Sequence, residues 1–117
     1  MNLIHKITPY INSYSDEFAD SGNIHWLPYT MYFHPFNYRS EVVNTDSSGF
    51  RYSILGNQKY SVADHTKIDA CRLIAGSSTV FGIGASSDHH TLASRMSEND
   101  QERVPWINFG GRSFNST

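Results

Sequence analysis

Residues 71–84 read CRLIAGSSTVFGIG, and this stretch decides the fold. It begins as a short apolar run, which is typical of a buried strand inside a parallel sheet, and we expect that strand over residues 67–75. Gly76 ends it, and the hydroxyl-bearing residues 77–79 follow. Open α/β sheets place their ligands at the carboxyl ends of their strands. The pattern therefore predicts that any chemistry lies directly after Gly76.

A second apolar run, VPWINF at residues 104–109, predicts another buried strand. Between the two runs, Ser86-Ser87-Asp88 is typical of a helix start, where the acid also suits the helix dipole. Leu92 and Met96 are four residues apart, as on the inner face of a helix. Strand, helix and strand at this spacing indicate a βαβ unit, so we expect two parallel strands joined by a right-handed crossover.

Upstream of this unit the chain divides into two parts. Residues 1–40 are rich in aromatic side chains and interrupted by prolines, which predicts an irregular N-terminal arm. Its rings either cover the flank of a sheet or form a surface on which sugar rings stack. Residues 41–117 form the predicted α/β domain, with a short strand at 41–44, a turn at 45–49 and extended chain over 50–53.

Composition limits the classes of partner. At 117 residues and a net charge of −2, with no cluster of Lys or Arg, the chain is one domain without a basic face for nucleic acid or membrane surfaces. It has neither a signal peptide nor the roughly 18 apolar residues of a membrane span, so we expect a cytoplasmic protein. The single cysteine, Cys71, cannot form an internal disulfide and is expected in the core.

Three Gly-rich motifs do not fit the stretch after Gly76. A phosphate loop needs Lys after its last Gly, where this chain has Ile83. A dinucleotide fingerprint needs a third Gly at the position of Ser87. The α/β-hydrolase elbow needs Gly two residues after its serine, where Val80 stands. We therefore expect no cofactor, and what remains is a serine just after a strand.

Three short blocks resemble the SGNH, or GDSL-type, hydrolases. Residues 76–82 (GSSTVFG) resemble the first block, most closely in members that read Gly-Gly-Ser-Thr. Residues 108–113 (NFGGRS) resemble the second block, in which a strand ends in Asn and a glycine-bearing loop follows. Residues 44–51 (NTDSSGFR) resemble the Asn-Thr-x-x-x-Gly-Phe-Arg lead-in of members linked to polysaccharide modification. The resemblance covers residues 44–117.

The resemblance implies a three-layer, flavodoxin-like parallel sheet, present in part, and the cleavage or transfer of a small acyl ester, commonly acetyl on a carbohydrate. It makes Ser78 the nucleophile, whose backbone N–H holds the oxyanion together with an N–H of the second block. Counted from Asn108, that second donor falls on Ser113, where the family has Gly; Gly111 supplies it if the loop is shifted. The alternative role for the Ser78 hydroxyl is to cap the turn after the strand.

The chain has no counterpart of the family's catalytic base. A serine hydroxyl is a poor nucleophile until a base takes its proton. The family supplies a His from Asp-x-x-His and a further oxyanion donor from Gly-x-Asn-Asp, and neither motif occurs here. We therefore expect a catalytically incomplete N-terminal segment that self-associates through exposed sheet edges. The rival hypothesis is a non-catalytic half-fold that binds a partner or a second copy.

The histidines offer two weaker alternatives. Asp88-His89-His90 is the best candidate for a metal cluster. Adjacent side chains on a helix point about 100° apart, so we expect a solvated helix start and no metal site. His89 or His90 as the base for Ser78 stays open, although the resembled family does not place its base there.

Overall fold

The structure, a computed structural model, describes Tyr14, strand residues 25–27 and 31–33, and residues 35–64 and 66–111. These residues form a small mixed α/β domain with short strands and two α-helices. The elements are β1 (His25–Leu27), β2 (Met31–Phe33), β3 (Ser53–Leu55), β4 (Gln58–Tyr60), β5 (Arg72–Gly76), α1 (Ser78–Phe81), α2 (Leu92–Glu98) and β6 (Trp106–Gly110), with 3₁₀ turns at Val62–Asp64 and Asp88–His90.

The six strands of the described residues form three two-stranded sheets. β1 with β2 and β3 with β4 are antiparallel, and the turn between β3 and β4 is Gly56-Asn57, with Gly56 at a φ of 62°. β5 and β6 are parallel, in register from Arg72 opposite Trp106 to Gly76 opposite Gly110. The predicted parallel pair is therefore confirmed, and β5 ends at Gly76 as expected.

The burial expected for β5 is wrong. The strand begins at Arg72 rather than at residue 67, Leu73 is 62% exposed, and Cys71 just before it is exposed as well. Within the described chain β5 has β6 on one edge and no strand on the other, so it lies at the border of a pair and not at the centre of a sheet. Apolar composition predicts where a strand forms, but neighbouring elements decide whether it is covered.

β6 is the better-covered strand, with Ile107, Asn108 and Gly110 buried. The Ser53 hydroxyl of β3 donates to the Trp106 carbonyl at 2.5 Å, which ties β3 to the start of β6. The predicted second buried strand is confirmed, although it begins two residues later than the apolar run.

The helix predicted to start at Ser86-Ser87-Asp88 begins later than expected. Asp88–His90 forms a 3₁₀ turn, and α2 begins at Leu92 with Thr91 as its N-cap, whose hydroxyl accepts from the Ser94 N–H at 3.3 Å. Leu92 and Met96, predicted on the inner face, are exposed. The helix instead buries Ala93, Ser94 and Ser97.

Hydrogen bonds explain why small polar residues face inward on α2. The Ser94 hydroxyl accepts from the Ile54 N–H of β3, and the Ser97 hydroxyl accepts from the Trp106 N–H of β6, both at 2.8 Å. A buried backbone N–H left without a partner is costly. Bonding these two N–H groups to Ser94 and Ser97 therefore outweighs the gain from burying Leu92 and Met96.

Residues 41–44 form no strand, contrary to expectation. The Ser40 hydroxyl accepts from the Val43 N–H at 2.9 Å and donates to the Val43 carbonyl at 2.8 Å, which folds this segment into a turn. The predicted turn at 45–49 is present: Thr45 pairs with Arg51, and the buried Asp46 carboxylate accepts from the Phe50 N–H at 2.9 Å. Regular strand resumes at Ser53.

The amino ends of β5 and β6 are joined through one carboxylate. Asp100 accepts from the Arg72 guanidinium at 2.8 Å and from the Trp106 indole N–H at 2.9 Å. The Arg72 hydrogen bond, more than any other contact, lowers the pKa of Asp100 to about 2. The connection from α2 to β6 is thereby anchored beside the start of β5.

Of the predicted arm, residues 1–40, the structure describes the β1–β2 pair, Tyr14 and residues 35–40. The roles expected of the aromatic rings at residues 26–33 fall on side chains outside the described part. None of the helices in the described part has the length and apolar character needed to span a bilayer.

Gly110, at the end of β6, generates the first prediction. A Cβ there would lie 2.4 Å from the Phe81 backbone nitrogen and 2.8 Å from the Val80 carbonyl carbon, neither of which can move aside alone. We expect Gly110→Ala to lower the free energy of unfolding by about 1–3 kcal/mol, measured by urea denaturation.

The matched control is Gly76→Ala, in register opposite Gly110 on β5. Its Cβ would meet only the Val80 side chain, with Cγ2 at 2.6 Å and Cβ at 3.2 Å, and no backbone atom. A loss at Gly76 equal to or larger than that at Gly110 would contradict the close approach of α1 to β6.

Candidate functional site

Ser78 lies where the sequence places it, two residues beyond the end of β5 and at the start of α1. It is exposed, whereas Phe81 at the other end of this short helix is buried. The N–H groups of Gly82 and Ile83 both donate to the Ser78 carbonyl, at 2.9 and 3.1 Å. The backbone of Ser78 is therefore held by the turn that it opens.

The predicted capping role has no support around Ser78. The N-cap of α1 is Ser77, whose side chain makes no capping hydrogen bond. Among the hydrogen bonds of the described residues, none uses the Ser78 hydroxyl. That hydroxyl is thus presented at the surface beside the carboxyl ends of the two parallel strands.

The second block includes the carboxyl end of β6, which lies beside the carboxyl end of β5. Gly110 ends β6 opposite Gly76, and the next residue, Gly111, donates its N–H to the Gly76 carbonyl at 3.1 Å. In this arrangement the Gly111 N–H is already engaged and does not point at an oxyanion. Ser113, the other predicted donor, lies outside the described residues.

Asn108 joins the second block to the first. Its side chain is fully buried, and its Nδ2 donates to the carbonyls of Val80 and Phe81 at 3.1 and 3.3 Å. Its Oδ1 accepts from the Gly110 N–H at 2.9 Å. The amide nitrogen is therefore bonded to α1, and the amide oxygen is bonded to its own strand.

Arg51 joins the lead-in block to the same helix. The side chain is fully buried, and its Nη1 donates to the carbonyls of Gly82 and Phe81 at 2.9 and 3.3 Å. Its Nη2 donates to the Val42 carbonyl at 2.8 Å, and its Nε to Asp88 Oδ1 at 2.7 Å. One guanidinium thus connects three segments of the chain.

Asp88 is not the solvated helix-start residue that the sequence predicted. It is buried, and besides Arg51 its carboxylate accepts from the Asn44 Nδ2 at 2.7 Å and from the Asn44 N–H at 3.3 Å. Both Asn44 and Arg51 belong to the lead-in block, which therefore holds Asp88 from its two ends. Sequence patterns do not show this contact, because Arg51 and Asp88 are 37 positions apart.

The neighbouring histidines are exposed, as predicted. His90 Nδ1 lies 2.9 Å from an Arg95 guanidinium nitrogen, and neither His89 nor His90 is hydrogen-bonded to Ser78 in the described structure. Across residues 35–64 and 66–111, no three His, Cys, Asp or Glu side chains come together as a metal site requires.

Aromatic rings surround these polar contacts. The Arg51 guanidinium lies 5.3 Å from the Tyr14 ring centre and 5.6 Å from that of Phe81. The Tyr14 hydroxyl donates to the Ala85 carbonyl, and burial raises the pKa of Tyr14, so the phenol stays a donor at neutral pH. Phe50 stacks on Phe109, with ring centres 4.8 Å apart, which adds a contact between the lead-in and second blocks.

Residues 80–82 are thus the meeting point of the three blocks, with the exposed Ser78 one helical turn away. A scan against protein-family models found no match to this chain, and a search of curated proteins found no significant relative.

The buried ion pair generates the second prediction. Asp88→Asn leaves the Arg51 charge buried without a counter-charge, and removing one partner of such a pair typically costs about 3–5 kcal/mol. We expect a loss of that size in the free energy of unfolding, measured by urea denaturation.

The control is Glu98→Gln, which neutralises the exposed Arg95–Glu98 pair and should cost less than about 1 kcal/mol. Losses of similar size in the two variants would show that the Arg51–Asp88 pair contributes no more than a surface pair.

Proposed function

We propose that residues 41–117 are the N-terminal part of an SGNH-type serine ester hydrolase, built on a three-layer, flavodoxin-like sheet, with Ser78 as the nucleophile. The observation that carries this proposal is the convergence of the three blocks on α1. The blocks are separate in the chain, and a catalytic serine needs them together at one sheet edge. The proposed substrate is a small acyl ester, with acetyl on a carbohydrate as the leading class.

The geometry supports distinct roles in acyl transfer. The Ser78 Oγ attacks the ester carbonyl, and the Ser78 N–H, in the first turn of α1 where no intrahelical acceptor is available, donates to the oxyanion. Because the Gly111 N–H is bonded to Gly76, we assign the second donor to Ser113 rather than to Gly111. Donors of this kind each lower the barrier by about 3–4 kcal/mol.

The proposal places the catalytic base on the Asp-x-x-His segment of the resembled family, a motif that these 117 residues do not contain. His89 and His90 are exposed and are not hydrogen-bonded to Ser78 in the described structure, so neither is assigned this role. A base on an Asp-x-x-His segment would take the Ser78 proton during attack and return it to the leaving alcohol.

The third prediction tests Ser78 with and without that segment. The 117-residue chain should hydrolyse p-nitrophenyl acetate no faster than its Ser78→Ala variant, because an unactivated hydroxyl is a weak nucleophile. The reading frame extended past Thr117 should contain Gly-x-Asn-Asp and Asp-x-x-His. In its purified product, Ser78→Ala should lower kcat/KM for the same ester by about 10³-fold or more.

Ser77→Ala is the matched control, since the neighbouring hydroxyl makes no capping bond, and it should leave the rate unchanged. Serine-dependent turnover by the 117-residue chain would overturn the external base. Turnover by the extended product that survives Ser78→Ala would overturn the nucleophile.

A second candidate function is a non-catalytic half-fold that pairs with a second copy. The observation that favours it is the partly exposed apolar surface of the parallel pair, where Leu73 is 62% exposed and Phe109, which stacks on Phe50, is 37% exposed. No strand of the described chain covers the outer edge of β5, and open edges of this kind promote strand pairing between chains.

The fourth prediction concerns this edge. Sedimentation equilibrium of the 117-residue chain should show a dimer or larger species, and Leu73→Lys should shift it to monomer by placing a charge on the apolar strand. Leu92→Lys, which changes an equally apolar but helical exposed side chain, should not. A monomeric wild type at all concentrations would contradict self-association.

A further inference from the structure

The C-terminal end of α1 is held by two side chains in addition to its own backbone hydrogen bonds. A helix of four residues leaves its last carbonyls without intrahelical donors. Asn108 Nδ2 donates to the carbonyls of Val80 and Phe81, and Arg51 Nη1 to those of Phe81 and Gly82. Three successive carbonyls are thus bonded by two donors that approach from different elements.

Both donors are themselves immobilised. Asn108 is fully buried, and its Oδ1 accepts from the Gly110 N–H of its own strand. Arg51 is fully buried, with its Nε on Asp88 and its Nη2 on the Val42 carbonyl. Besides the bonds to α1, a change of rotamer would break one further hydrogen bond of Asn108 and two of Arg51, so each is a rigid support.

Ser78 is connected directly to the end that these side chains hold. The Gly82 and Ile83 N–H groups donate to the Ser78 carbonyl, which closes the turn within five residues. A shift of the Phe81 or Gly82 carbonyl therefore moves the Ser78 backbone with it. Because the Gly82 carbonyl already accepts from the Ala85 N–H at 3.0 Å, the bond from the buried Arg51 provides more than hydrogen-bond satisfaction requires.

We propose that Arg51 and Asn108 are positioning residues for Ser78, which hold α1 by its carboxyl end and so set the nucleophile against the edge of β5 and β6. Neither residue contacts substrate in this role. The catalytic consequence rests on the proposed function, whereas the effect on the Ser78 turn is measurable on the 117-residue chain alone.

The experiment compares Arg51→Lys and Asn108→Leu with wild type. Lys keeps a charge opposite Asp88 but lacks the planar fork that bonds several carbonyls at once. Leu keeps the branched shape of Asn108 in a larger volume, and it removes both the donor to α1 and the acceptor of the Gly110 N–H. The control is Ser97→Ala, which removes a buried bond to the Trp106 N–H at the far end of β6.

The readout is amide hydrogen exchange at Gly82 and Ile83, measured by NMR beside the global free energy of unfolding. In both test variants, exchange at these amides should rise about tenfold or more beyond what the global loss accounts for, because the Ser78 turn opens locally. In Ser97→Ala, exchange at these amides should rise only as far as the loss in the global free energy of unfolding accounts for. Exchange that follows the global loss in every variant would overturn the proposal, and if Arg51→Lys does not fold, Asn108→Leu decides it.

The kinetic readout uses the extended product, if Ser78-dependent hydrolysis is found there. Arg51→Lys and Asn108→Leu should lower kcat by about 10–100-fold with little change in KM, as expected when a nucleophile is misplaced without loss of binding. Ser97→Ala should change neither. An unchanged kcat would overturn the positioning role, whereas an inert Ser78 together with the local exchange effect would overturn the proposed function alone.

Discussion

The contact between Arg51 and Asp88 is the constraint on which the rest of this structure depends. Both groups are buried, 2.7 Å apart. A buried charge is strongly unfavourable unless it is paired and hydrogen-bonded, so any arrangement that separates the two is excluded. Because Asn44 and Arg51 both bond Asp88, the lead-in block is held against the segment that follows α1, and the same guanidinium then reaches the carbonyls of that helix.

Buried polar side chains position the elements where apolar packing is limited. The apolar core cluster of the described residues is small, with Tyr14, Val43 and Phe81 at its centre. Ser94 joins α2 to β3, and Ser97 joins it to β6. A hydrogen bond requires a narrow range of distance and angle, and breaking a buried one is costly in free energy. Such contacts therefore determine the distance and register of neighbouring elements more narrowly than hydrophobic contact does.

Local features were predictable, whereas burial was predicted correctly for β6 and wrongly for β5 and α2. Gly76 ends β5, residues 45–49 form a turn, and β5 and β6 are parallel, because these follow from backbone preferences and from the spacing of two apolar runs. The inner face of α2 was wrong because hydropathy favoured Leu92 over Ser94, whereas the helix packs against backbone N–H groups that need acceptors. Cys71 was expected in the core, yet nothing in the described chain covers it.

By itself the sequence determined the order of the three blocks, the glycine at which β5 ends and the position of Ser78 just after that strand. These are properties of neighbouring residues, set by φ and ψ preferences over a few positions. Only the tertiary structure decided that Arg51 meets Asp88 and that Asn108 meets Val80. Such contacts require the closure of loops of about thirty residues and the burial of both polar partners at the same place. A short sequence pattern does not contain that information.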